Sequence, residues 1–153
     1  GVGSQFVIRI PFKIDEEHKT EAVKEATSAS IEGLSVLLVE DNELNMEIAK
    51  FIIENEGANV TCATNGKEAV NIYKKSPEFF DIILMDIMMP EMDGYEATKV
   101  IRSLDSKIPI VAMTANAFAE DKIKTKKAGM NAHLSKPLDK DTLVQVVAKL
   151  CKK

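Results

Sequence analysis

The sequence predicts an α/β protein built on a parallel sheet with helices on both faces, and two observations lead there. From residue 34 onward, short runs of nearly unbroken apolar residues recur, and stretches with helical spacing of apolar residues separate them. A strand covered on both faces needs such a run, because its odd and even residues both point into a core. Strand and helix in alternation then imply right-handed crossovers and a sheet between two helix layers.

Taken in order, residues 1–14 (GVGSQFVIRIPFKI) set Phe6, Ile8, Ile10, Phe12 and Ile14 against Val7, Arg9, Pro11 and Lys13, a period of two that reads as a strand. Residues 15–33 are charged and small and read as a linker. SVLLV (35–39) is the first continuous apolar run. In 43–56 the 3.6 period assigns Leu44, Ile48, Phe51 and Ile52 to the buried stripe of a helix, with Met46, Ala49 and Ile53 on the opposite side. ANVTCA (58–63) alternates, with Val60 and Cys62 on one face, as an edge strand does. A helix over 66–75 follows, then DIILM (81–85), the second continuous run. Residues 94–104 place Ala97, Val100, Ile101 and Leu104 on one helix face. IPIVAM (108–113) and AHL (132–134) are the last two strands, followed by helices over 116–127 and 139–151.

Composition removes several classes of function. A net charge of −4 and 5% aromatic residues argue against a nucleic-acid surface of basic patches and stacking rings. The only cysteines, Cys62 and Cys151, lack metal-ligand spacing and are expected as reduced thiols in a cytoplasmic setting. No run of 18 apolar residues occurs, so no membrane span is expected in this segment, whatever a longer parent chain does.

The strand ends carry the chemistry. Glu40 and Asp41 follow the first strand, Asp86 the third, Thr114 the fourth, and Lys136 with Pro137 the fifth. In an open parallel sheet the carboxyl ends of the strands form the binding edge, so these side chains converge. Singly, each has an ordinary reading as a solvated acid, a capping threonine or a surface lysine. As a set they place three carboxylates together, and such a cluster calls for a divalent cation. Mg²⁺ suits it as a hard ion that takes oxygen ligands and keeps exchangeable waters. A dinucleotide site would require Gly-x-Gly-x-x-Gly after the first strand, where EDNELN stands. An aspartate-nucleophile phosphatase would carry a second acid at position 88, where Met88 stands. Met85 reads as core, and Met88 and Met89 as loop packing.

The segments LLVEDNELN, DIILMDIMMPEMDGYE, PIVAMTANA and HLSKPLD, in this order and spacing, make residues 34–153 resemble a response-regulator receiver domain. The resemblance implies a flavodoxin-like, doubly wound, five-stranded parallel sheet in the order 2-1-3-4-5, with Asp86 as phosphoacceptor. It implies Mg²⁺ held by Asp41, Asp86 and the Met88 carbonyl, with Glu40 acting through water. Lys136 and Thr114 would contact the phosphoryl group, and Pro137 would follow a cis peptide bond. His133 stands three residues before Lys136, where many receivers carry Tyr or Phe.

GVGSQFVIRIP resembles the last glycine box and final strand of a histidine-kinase ATP-binding domain. The implied layout is a kinase remnant (1–14), a linker (15–33) and a receiver domain (34–153), the C-terminal piece of a hybrid sensor histidine kinase. Such a piece lacks a complete kinase site and catalyses only its own phosphorylation and dephosphorylation in a phosphorelay. Its expected partner is a phosphohistidine domain or histidine phosphotransfer protein docking near Met46, Ala49 and Ile53, with homodimer pairing through residues 1–14. The alternative is a degenerate receiver that serves only as an interaction module; such domains have lost one of the five key residues, and all five are present here.

Overall fold

A computed structural model describes residues 29–105, 107–115 and 119–151. The expectations for residues 1–28, including the kinase-like strand and the dimer it would form, lie outside the described residues. Strand β1 (Ser35–Val39) leads to α1 (Glu43–Asn55), β2 (Asn59–Ala63), α2 (Gly66–Lys75) and a short 3₁₀ turn (Pro77–Phe79). Then come β3 (Ile82–Asp86), α3 (Gly94–Leu104), β4 (Ile110–Thr114), α4 (Ala119–Ala128), β5 (Ala132–Ser135) and α5 (Lys140–Cys151). The sheet has the order β2-β1-β3-β4-β5, and every pairing is parallel. No helix among the described residues is long and apolar enough to cross a membrane.

The continuous apolar runs are explained by two cores. On one face Val36, Leu38, Ile82, Leu84, Val111 and Met113 meet residues of α1 and α5. On the other, Leu37, Val39, Ile83, Met85, Ile110 and Ala112 meet residues of α2 and α3. Edge strand β2 is only half-covered, which is why it alternates instead of running apolar throughout. Four of the helices are capped by a side-chain oxygen where they start beyond the carboxyl edge of the sheet: Asn42 accepts from Asn45 N–H, Asn65 from Glu68, Asp93 from Glu96 and Asp139 from Thr142.

Three expectations are corrected. In α1 the buried residues are Met46, Ala49 and Ile53, whereas Leu44, Ile48 and Phe51 are 69%, 48% and 67% exposed. The helix carries two apolar stripes, so period alone leaves its phase open. The sheet takes the stripe centred on Ala49, whose single methyl lets the helix approach closely, and only Ile52 of the other stripe packs against that core. The docking face therefore cannot be Met46, Ala49 and Ile53. In α3 the buried set is Gly94, Ala97, Thr98 and Ile101, and Leu104 is half exposed. The boundary at 33/34 also cuts through packed structure. Ile31 is 1% exposed within the α1/α5 core, and Gly33, at φ +76°, donates its N–H to the Gly57 carbonyl at 2.8 Å. A turn at Gly33 sets Ile31 into this core, and a lone isoleucine in a polar stretch gives no periodic signal.

Replacing Ile31 with Ala should therefore lower the unfolding free energy by about 2–5 kcal/mol. The exposed neighbour Glu32→Ala should change it by no more than about 0.5 kcal/mol. Urea unfolding of both variants tests this, and equal small effects would return residue 31 to the linker.

Candidate functional site

The carboxyl edge of the sheet gathers the predicted residues. Asp86 ends β3 and Thr114 ends β4, while Glu40 and Lys136 each stand one residue past β1 and β5. The backbone ladder continues beyond the strands and fixes them: Glu40 N–H donates to Ala63 at 3.0 Å, Ile87 N–H to Met113 at 3.2 Å and Lys136 N–H to Thr114 at 2.8 Å. The Lys136–Pro137 peptide bond is cis, as expected.

The Lys136 ammonium lies 2.6 Å from Asp86 Oδ2 and 2.5 Å from Glu40 Oε2, bridging two carboxylates that are 5% and 2% exposed. Burial acts to lower the pKa of this ammonium, but the hydrogen bonds to Asp86 and Glu40 outweigh it and leave the value raised, so Lys136 carries its charge. The other oxygen of each acid is also engaged: Asp86 Oδ1 accepts the Met88 N–H at 3.2 Å, and Glu40 Oε1 accepts Asn45 Nδ2 at 3.1 Å. Asp41 is exposed at the rim. One oxygen from each of Glu40, Asp41 and Asp86 lies within 4.8 Å of the others. Three hard oxygen donors facing a single ammonium fit a divalent cation such as Mg²⁺.

Thr114 is buried at the same edge. His133 is half-buried on β5 opposite Ala112. Met85 is core and Met89 packs at its margin, but Met88 points its side chain out, 78% exposed, while its backbone faces Asp86. Asn45 was missed. Its signal was available, since a polar residue one turn after the Asn42 cap faces back toward the strand end.

Removing the exposed acid should relieve repulsion at this edge. In cation-free buffer Asp41→Asn should raise the unfolding free energy by on the order of 1 kcal/mol. Added MgCl₂, which stabilises by mass action whatever binds it, should raise the melting temperature of the unsubstituted chain more than that of the variant. Thermal unfolding with and without the ion measures both, and a destabilised Asp41→Asn would contradict the repulsion.

A family model described as response regulator receiver domain matches residues 36–148. The sensor protein EvgS of Escherichia coli (strain K12) is 38% identical over 144 residues, covering 94% of this chain and 12% of that protein. Among solved structures, the receiver domain of sensor histidine kinase PA1611 from Pseudomonas aeruginosa PAO1, with a magnesium ion in its active-site cleft, is 36% identical. It has a TM-score of 0.72 and the match covers 78% of this chain and 98% of that one. The Saccharomyces cerevisiae co-crystal structure of the phosphotransfer protein Ypd1 with the receiver domain of Ssk1 also matches, at 31% identity and TM-score 0.72, covering 78% of this chain and 89% of that chain. The chain spans between 12% and 23% of the length of curated relatives such as EvgS and the yeast transcription factor SKN7.

Proposed function

The chain belongs to the response regulator receiver domain family, and from that premise we propose that it accepts a phosphoryl group from phosphohistidine onto Asp86 in a Mg²⁺-dependent phosphorelay. The observation that carries this reading is the Lys136 ammonium set between Asp86 and Glu40 at the carboxyl edge of a parallel sheet. In the transfer an Asp86 carboxylate oxygen forms a bond to phosphorus as the bond from phosphorus to the donor imidazole breaks. The product is an acyl phosphate, and the leaving imidazole takes a proton from solvent.

Each residue has a part in that step. Asp86 is the nucleophile, held through Oδ1 by the Met88 N–H. Lys136 exchanges its contact with Asp86 for one to a phosphoryl oxygen, and Glu40 keeps the ammonium in reach meanwhile. Thr114, on the adjacent strand, gives its hydroxyl to a second phosphoryl oxygen. Asp41, Asp86 and the Met88 carbonyl would hold Mg²⁺, with Glu40 acting through water. The bound ion supplies charge neutralisation at the transferred group. With all five residues present, no specific feature favours the degenerate reading.

The donor surface follows from the corrected face of α1. Leu44, Ile48 and Phe51 form an exposed apolar strip on a helix that starts two residues after Asp41. A helical bundle bearing a phosphohistidine fits there, in keeping with the complex formed by the Ssk1 receiver domain and Ypd1. The parent is read as a hybrid sensor histidine kinase. Residues 1–14 are then the end of its ATP-binding domain, and the linker after them ends before the buried Ile31. An alignment to EvgS covering 94% of the chain extends into this leading segment.

Two measurements test the reading. Acetyl phosphate with Mg²⁺ should add one phosphoryl group by intact mass, lost on chelation and in Asp86→Asn; labelling that survives the substitution moves the acceptor elsewhere. For the strip, Ile48→Glu should slow transfer from a phosphohistidine protein by roughly 10-fold or more, the effect expected of a charge introduced into an apolar contact. It should leave acetyl-phosphate labelling unchanged, because a small donor needs no helix face. Equal slowing of both reactions would place the damage in the site, and no slowing of either would make the strip plain surface.

A further inference from the structure

The described glycines fall into two groups. Gly33, Gly57 and Gly129 hold φ of +76°, +82° and +95°, where any side chain is strained. Gly66 and Gly94, the first residues of α2 and α3, have no positive φ, so conformational freedom does not account for them. What they share is backbone where a Cβ would stand. At Gly66 an added Cβ would lie 2.5 Å from the Met92 carbonyl oxygen and 3.0 Å from both Ala97 Cβ and Met92 Cγ. The Gly66 N–H donates to that same oxygen at 3.2 Å. At Gly94 a Cβ would overlap the carbonyl oxygen of Asp86 itself, and the Gly94 N–H donates to the Ile87 carbonyl at 3.0 Å.

Both contacts grip one loop, residues 87–93. It starts at the acceptor and contains Met88, whose N–H holds Asp86 Oδ1. Within it the Met92 N–H closes on the Pro90 carbonyl at 2.8 Å, and Glu91 sits at φ 65°, in the left-handed region. A non-glycine residue stays there only where its surroundings over-determine the backbone.

We propose that Gly66 is a positioning residue for the cation site: with Gly94 it clasps the 87–93 loop at both ends, so that the Met88 carbonyl and the Asp86 carboxylate stand at a fixed separation. The inference rests on the reading in which Asp41, Asp86 and the Met88 carbonyl hold Mg²⁺. Gly66 itself touches no reacting atom; it acts through Met92. A backbone carbonyl cannot rotate away from a new Cβ as a flexible side chain would, so the loop has to shift. Mg²⁺ demands near-ideal octahedral geometry, and loss of groups that orient metal ligands typically weakens binding by 10–100-fold.

The test is calorimetric titration of Mg²⁺ into the unsubstituted chain, Gly66→Ala and Val70→Ala. Val70 is 4% exposed on the same helix, one turn on from Gly66, and no backbone of the loop stands where its side chain packs, so its truncation controls for lost stability. Gly66→Ala should weaken Mg²⁺ binding roughly 10-fold, while Val70→Ala stays within about twofold of the parent. Unchanged affinity in Gly66→Ala, or equal weakening in both variants, overturns the inference. If the unsubstituted chain binds no Mg²⁺, the metal reading fails, and the clasp as a cation-positioning device fails with it. A measurement on the unsubstituted protein covers the case in which Gly66→Ala does not fold: Mg²⁺ should slow hydrogen exchange at the Gly66 and Gly94 amides, and exchange indifferent to the ion refutes the clasp.

Discussion

One ammonium shared by buried carboxylates governs this structure. Lys136 lies 2.5 Å from Glu40 and 2.6 Å from Asp86, residues at or just past the ends of three different strands. Burying two acids is costly unless charge and hydrogen bonds answer them, and here both oxygens of each are engaged, by Lys136 together with Asn45 or Met88. The third acid, Asp41, remains at the rim with water. The site is thus balanced short of neutrality, which keeps the pocket stable while leaving it attractive to a cation. A parallel sheet suits that task because it brings the ends of distant strands to one edge, each fixed by ladder hydrogen bonds instead of by mobile loops.

The opposite edge is held by polar contacts of a different kind. Tyr73, fully buried, donates its hydroxyl to Asp105 at 2.7 Å, and Arg102 donates to the carbonyl of Gly129 and the side chain of Asn131 at 2.8 Å each. Asn131 in turn accepts the Ile110 N–H that opens β4. Burial and then the bond to Asp105 raise the Tyr73 pKa well above the usual phenol value, while the Lys107 N–H, followed by the Tyr73 hydroxyl, lowers that of Asp105. Folding therefore favours the neutral phenol, and the stability it lends is complete below the ordinary tyrosine pKa and declines as pH rises beyond it. These contacts tie α2, α3 and the loop before β5 together at the end of the sheet away from the acid cluster.

Most of the architecture was legible in the sequence because strands buried on both faces leave little choice of side chain. SVLLV and DIILM could be nothing else once five alternating units were counted, and the residues just past them formed the site. The phase of α1 was not legible. Two stripes of similar hydrophobicity satisfied the same 3.6 period, and what separated them was size: Ala49 permits close approach to the sheet, and Phe51 does not. Ile31 was missed because a single anchoring side chain has no period. Gly66 and Gly94 read as ordinary helix starts, since close approach of two backbones depends on tertiary structure that no local pattern encodes.

The corrected phase of α1 clarifies how a surface contact can serve buried chemistry. The inner stripe, with Ala49 at 1% and Ile53 at 0% exposure, packs the helix onto the sheet. Its first turn carries Asn45, the donor to Glu40, and its outer stripe faces solvent beside Asp41. A helix so tightly packed cannot slide or rotate without opening cavities in the core, at a cost of several kcal/mol. A partner pressing on Leu44, Ile48 and Phe51, as proposed, would therefore have little room to remodel the site. In the proposed phosphorelay, what docking would contribute is position: it would hold a donor phosphorus in line with Asp86 and convert an encounter between two proteins into an effectively intramolecular step, a gain that needs no rearrangement of the acid cluster. The same packing makes the distance from strip to Asp86 a fixed property of the fold, so on the proposed function selectivity among donors would rest on the shape and chemistry of the strip, while the transfer step would rest on Asp86, Lys136 and the cation.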